Sequence, residues 1–244
     1  MLRGRRSFFG PLTAMLALTF LGPAGALADG KGATYRVTIY NLTVGQPFTP
    51  PVVAVHNERA DVFEVGEPAG DGVIAIAENG NNDPLVTALA GSPNVADYAT
   101  GMAPIVPAHD PGATGFDSVA TFTLTTRRGA KRLSFVSMLI CTNDGFTGID
   151  SVRLPARSKT VYARAYETRT EMNTEDFADI VPPCQGLSGV SSDDAGTGQS
   201  NFAIAEGGVV IPHPGIVGGN DLQRRVHDWN DPVAKVVIER VTGR

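Results

Sequence analysis

The sequence predicts a mainly β fold, an antiparallel sandwich or barrel. Stretches that alternate bulky and polar residues recur along the chain, the period of half-buried strands. Glycine- and proline-rich segments join them, drawing on 28 glycines and 17 prolines in 244 residues. Only two short helical patterns interrupt, both before the middle, which fits an all-β architecture better than an alternating α/β one. No internal repeat and no Pro/Ser-rich linker divides the chain, so one domain is expected over residues 29–244.

Residues 35–42 (YRVTIYNL) alternate as a strand, and the Pro-rich run 46–51 breaks them before residues 52–56 resume an extended pattern. From Gly72 the period changes. Val73, Ile74, Ile76 and Ala77 fall at helical spacings, and Asn79-Gly80-Asn81 supplies a stop. Asp83-Pro84 opens a second short helix through Leu89, with Asp as N-cap and Pro in the first turn. Strand texture then dominates: residues 118–126, 132–140, 159–165, 203–211 and 233–241. Residues 181–199 read as a long loop.

The first 28 residues are set apart from the fold. Arg3, Arg5 and Arg6 form a basic leader, residues 11–21 are apolar, and Ala26-Leu27-Ala28 is a small-x-small cleavage pattern. The apolar run is about half the length that spans a bilayer, so a cleaved signal peptide is expected, with no transmembrane segment and a periplasmic or secreted destination. Arg5-Arg6-Ser7-Phe8-Phe9 leaves the export route open between the general and twin-arginine pathways. Loss of three arginines moves the formal charge from −5 to −8. That acidity argues against a nucleic-acid partner, which needs Lys/Arg patches. It suits either a cation site or an ordinary solvated surface. Cys141 and Cys184 are the two cysteines, and an even count in an exported chain predicts a disulfide.

Catalytic signatures are absent: no Gly-x-Ser-x-Gly, His-Glu-x-x-His, phosphate-binding glycine loop or Cys-x-x-Cys occurs. His56, His109, His213 and His227 are scattered without ligand spacing; His213, between Pro212 and Pro214, is the strongest candidate among them. The carboxylates say more. Asp144 follows an apolar strand inside Thr142-Asn143-Asp144-Gly145-Phe146-Thr147-Gly148, a glycine-flanked loop suited to oxygen ligation of a hard cation, though on this stretch alone a plain Asx-Gly turn is the better reading. Glu167 and Glu171 lie four apart in one acidic segment, and Asp193-Asp194 lie in another.

Four stretches resemble the spondin N-terminal domain family, found in F-spondin, mindin and bacterial secreted proteins. They are Ser137-Met138-Leu139 through Asn143-Asp144-Gly145-Phe146-Thr147-Gly148-Ile149-Asp150-Ser151, Tyr166 to Glu171 followed by Asn173-Thr174-Glu175, Asp228-Trp229-Asn230-Asp231-Pro232-Val233-Ala234, and the closing run from Val233 to Arg240. Ala77-Glu78-Asn79-Gly80-Asn81 and Asp83-Pro84-Leu85 also resemble the bacterial members. The resemblance implies a C2-like β-sandwich with calcium held by loops at one end. Carried over by motif, it makes Asp144, Glu167 and Glu171 the metal ligands. Asp194-Ala195-Gly196-Thr197 spells the family's ligand motif literally, but Gly198 stands where an acid is needed and no Tyr precedes it, so Asp194 is not assigned. Glu167 replaces the family's Asp, and Arg169 its Gly.

The functional expectation is an exported calcium-binding adhesion or recognition module without catalysis. Its partner would be a protein or glycan at the cell surface or matrix. Two alternatives accompany it: an envelope-associated structural protein without metal, and a hydrolase using Asp144, Glu167 and His213.

Overall fold

In the computed structural model, residues 32–241 are described, and the expected signal peptide lies outside them. Ten strands form two antiparallel sheets. β1 (Thr34–Asn41), β4 (Val119–Thr125), β7 (Ser158–Ala163) and β10 (Ala234–Val241) make a four-stranded sheet in the order β4-β1-β10-β7. The second sheet has six strands: β2 (Val52–His56), β3 (Val95–Thr100), β5 (Arg132–Met138), β6 (Gly145–Arg153), β8 (Ala165–Glu167) and β9 (Ile211–Pro212). Their order is β3-β2-β5-β6-β8-β9. The sandwich expectation holds.

Alternation along the strands builds two cores. Val37 and Ile39 of β1, Phe122 and Leu124 of β4, and Val236 and Ile238 of β10 face Val53, Val55, Leu133 and Phe135 between the sheets. The opposite parity of the six-stranded sheet (Val52, Ala54, Val136, Met138 and Phe146) packs on a second cluster. Here α1 (Asp71–Asn79) and α2 (Asp83–Gly91) supply Val73, Ile76, Ala77, Leu85 and Leu89. A sheet covered on both faces needs apolar residues at successive positions, so every residue of β2 is buried. Each such valine contributes about 1.5–3 kcal/mol relative to exposure.

Several expectations need correction. Among the described residues there are four short helices where two were expected: α3 (Pro183–Ser188) and α4 (Arg224–His227) join the first pair. α3 lies inside the segment read as loop, opened by prolines that suit a first turn. The strand expected over 203–211 is instead a 3₁₀ turn at Phe202–Ile204, an irregular stretch and the two-residue β9. Gly207 and Gly208 interrupt any continuous strand there, and at Gly208 a Cβ would come within 2.3 Å of the Arg169 Cβ. The segment Phe146-Thr147-Gly148, read as loop, belongs to β6; β3 was not anticipated.

The strand expected over 159–165 is two strands in different sheets. Ala163 pairs with Ala234 in one sheet, and Ala165 pairs with Thr147 in the other. Asp231 fixes the crossover: its carboxylate accepts from Arg164 Nε at 2.9 Å and from the Ala165 amide at 3.0 Å. The motif around Trp229 is thereby a structural clamp. Trp229 itself is partly buried and packs against both cores.

Cys141 and Cys184 form the expected disulfide, with Cα atoms 5.0 Å apart and both side chains fully buried. It ties the β5–β6 connection to α3. No described helix is long and apolar enough to cross a membrane.

Candidate cation site

The crossover at Arg164 decides where the acidic segment lands. By feeding residues 165–167 into the six-stranded sheet it sets Glu167 opposite Gly145, the first residue of β6. Asp144 precedes that residue, and its carbonyl accepts from the Thr168 amide at 3.2 Å. Thr142 makes the tight turn before it: its hydroxyl donates to the Leu139 carbonyl at 2.6 Å and accepts from the Gly145 amide at 2.9 Å. A Cβ on residue 145 would lie 2.4 Å from that hydroxyl oxygen, so glycine is required by close approach.

Asp144 is fully buried. Its Oδ2 accepts from the Thr168 hydroxyl at 3.0 Å, the Thr170 amide at 2.7 Å and the Glu171 amide at 3.3 Å. Its Oδ1 is buried and has no hydrogen-bond partner. Glu167 and Glu171 are also buried. One oxygen of Glu167 accepts from Asn173 Nδ2 at 2.6 Å, and one of Glu171 from the Asn201 amide. Asn143 and Thr174 exchange two further bonds, of 3.0 and 3.1 Å, which close the segment over Asp144.

The three carboxylates expected as ligands are therefore brought to one buried pole, where β6 begins and β8 ends. Their ligand atoms do not all come within 4.8 Å of one another. Each is held on its own donor instead, as mutual repulsion between buried carboxylates favours. Burial pushes the carboxyls of Asp144 and Glu167 above the usual range. Glu171 is raised to about 7, by burial first and then by the charges of Glu78, Asp144 and Asp179. Among the described residues no basic side chain pairs with Asp144 or Glu171.

Glu78, at the end of α1, is the member that sequence reasoning missed. It is buried, its Oε2 accepts from the Ser200 hydroxyl, and its charge acts on both Asp144 and Glu171. Its signal lay in Ala77-Glu78-Asn79-Gly80-Asn81, which resembled the family without suggesting a role.

Arg169 occupies the left-handed region, φ 56°. A glycine would take that backbone without strain, which explains the residue type the family prefers there. Its guanidinium is half exposed and lies 3.6 Å from Glu206. Glu167 feels it weakly, after burial, Asn173 and Asp144.

His213 approaches from β9's end, its Nε2 3.9 Å from Glu167 Oε2 and without a hydrogen-bond partner. Its Nδ1 accepts from the Gly215 amide at 3.0 Å, which leaves the proton of the neutral ring on Nε2. Burial lowers its pKa to about 4.

Asp194 stands apart. It is exposed, and one oxygen each of Asp176, Asp194 and Asp221 lie within 4.8 Å of one another. That group is partly solvated, and Asp221 and Asp176 already accept from the backbone amides of Phe177 and Ala178.

The donor set at Asp144 fits a hard cation. It is all oxygen, it carries excess negative charge in a buried place, and it includes a buried carboxylate oxygen without a donor.

An antiparallel sandwich with buried carboxylates gathered at one pole is the class that this geometry defines. The family described as Spondin_N matches residues 40–168, and the chain belongs to that family. The matched span contains Asp144 and Glu167 and ends three residues before Glu171. No curated protein sequence matches the chain significantly. Spondin-type domains are extracellular recognition modules.

Proposed function

We propose that this chain is an exported recognition module, periplasmic or secreted, whose fold is organised by a calcium ion and which performs no catalysis. One observation carries the reading: Asp144 Oδ1, fully buried and unpartnered, at a pole shared with other carboxylates. Asp144, Glu167 and Glu171 would hold the ion. A divalent cation supplies there the positive charge that offsets carboxylate repulsion, and it favours the ionised forms that burial otherwise penalises. The partner would be a protein or glycan of the cell surface or matrix.

The hydrolase alternative needs His213 as a base beside Glu167. The tautomer set by Gly215 makes Nε2 a donor, and the lowered pKa keeps the ring neutral at physiological pH. These features suit a group that orients a carboxylate better than one that accepts a proton from substrate.

Calorimetric titration with calcium after chelation, paired with melting curves, tests the reading. Calcium is expected to raise the melting temperature by mass action. Asp144→Ala should abolish the shift, Glu167→Gln should weaken it, and Asp194→Ala should leave it intact. A second reading has its own observation, the convergence of Asp176, Asp194 and Asp221. If Asp194→Ala removes the shift and Glu167→Gln does not, that group is the site. No heat and no shift in the parent protein would favour the structural, metal-free role.

A further inference from the structure

Behind the Cys141–Cys184 disulfide, His227 is a fully buried histidine, but those sulfurs are already bonded to each other. The acidic pole extends to α1, an element that no motif connects with metal binding, because the charge of Glu78 acts on both Asp144 and Glu171.

Glu78 lies in the last turn of α1, which contains no basic residue and ends at Gly80 in the left-handed conformation. A helix C-terminus carries partial negative charge, so a buried carboxylate there is doubly unfavourable unless positive charge lies nearby. The hydrogen bonds show what it adjoins. Ser200 donates its hydroxyl to Glu78 Oε2, and the next residue, Asn201, donates its amide to Glu171 Oε1. The Glu171 amide in turn donates to Asp144 Oδ2. Three carboxylates from α1, the β5–β6 connection and the segment after β8 are thus joined through one strap of chain.

A pattern runs through this group. Glu78, Asp144, Glu167 and Glu171 each have one oxygen anchored by protein donors, and among the described residues the other oxygen receives none. Asn79 adds another acceptor: its Nδ2 donates to Ser200 at 2.9 Å, and its Oδ1 is buried without a partner. One oxygen fixed and one free is the arrangement of a monodentate carboxylate ligand, and hard divalent cations gather several of these with neutral carbonyl oxygens.

We propose that Glu78 is a further ligand of the cation site, with Asn79 Oδ1 beside it, so that α1 closes a four-carboxylate cup strapped by Ser200 and Asn201. The inference rests on the reading of Asp144, Glu167 and Glu171 as ligands. It adds that calcium couples α1 to the strap: drawing Glu78 and Glu171 toward one ion brings together the two acceptors that hold residues 200 and 201.

Glu78→Gln is the informative substitution. Glutamine keeps an oxygen for the Ser200 hydroxyl and removes the charge and the free carboxylate oxygen. Calcium affinity is expected to fall about tenfold or more, because affinity in such sites follows ligand charge. The chelated variant should melt at or above the chelated parent, since a buried like charge has been removed. Those opposite signs separate a ligand from a residue that merely packs, whose loss would lower both melting temperatures. Glu78→Asp, which keeps the charge but withdraws it by one methylene, provides a second variant if the glutamine form does not fold; it should also bind more weakly. Wild-type affinity in both variants that fold, alongside Asp144→Ala that does not bind, overturns the role of Glu78 and leaves the three-residue site standing. A parent protein that binds no calcium overturns both.

Discussion

Glu171 shows how burial at the acidic pole makes stability depend on pH. Its carboxyl titrates near 7 in the folded chain, against an ordinary value near 4.5. Between those values the folded state holds a proton that the unfolded chain releases, so stability falls as pH rises through this window. The raised carboxyls of Asp144 and Glu167 slope in the same sense. His213 opposes them: lowered to about 4 from 6.5, it makes stability rise with pH between those values. Above pH 6.5 that opposition ends. In chelated protein the melting temperature should therefore decline from pH 6.5 toward pH 7.5, and Glu171→Gln should flatten the decline. Equal slopes for parent and variant, measured by thermal denaturation across that range, would mean that Glu171 carries no such penalty. Saturating calcium should remove the slope by holding the carboxylates ionised in the folded state.

The elements around the site are held in place by covalent and polar ties more than by regular structure. α3 has six residues, too few for intrinsic helical stability, and it is fixed by the disulfide from Cys184 to Cys141. Cys141 lies three residues before Asp144, so the same bond anchors the turn that presents the candidate ligand. A cross-link spanning 43 residues of sequence is worth about 4 kcal/mol in the chain-entropy account. Replacing both cysteines with alanine, which suits their full burial better than serine, should lower unfolding free energy by about 3–4 kcal/mol in denaturant titrations. A loss below about 1 kcal/mol would show that packing alone holds α3. Thiol labelling of the denatured, unreduced protein should find no free cysteine.

Across the whole molecule, the six-stranded sheet is the shared wall of two cores. Neighbouring residues of one strand, such as Val52 and Val53, belong to different clusters, so neither cluster survives without the sheet. Trp229 touches both. It is the single tryptophan, and it reports on the two cores together. Its fluorescence and the far-ultraviolet circular dichroism should therefore change at the same denaturant concentration. Separate midpoints would mean that the helix-covered layer opens independently. The native emission should be blue-shifted from that of tryptophan in water, because the ring packs on His213 with centroids 4.9 Å apart.

What the sequence determined by itself was the local and the compositional: alternation gave β1, extended and strand-rich texture gave β2, β4, β5 and β10, and helical spacing with Asp83-Pro84 gave α1 and α2, although Asn82 rather than Asp83 stands at the N-cap of α2. Cysteine parity gave the disulfide, and motif resemblance selected Asp144, Glu167 and Glu171. These features are encoded by neighbours within a few residues. Tertiary structure alone decided the rest. The run 159–165 looks like one strand, yet Asp231, 67 residues beyond Arg164, turns it from one sheet into the other. β9 has two residues and no periodicity to read; it exists because Tyr166 and Glu167 offer an edge. Glu78 could not be recognised as a neighbour of Asp144, because a carboxylate on a short helix reads as solvated until the strap at Ser200 and Asn201 closes over it. Local pattern specifies which residues tend to be strand, helix or turn. Which carboxylates share a buried pole depends on long-range pairing, where repulsion and burial act on residues that the sequence keeps far apart.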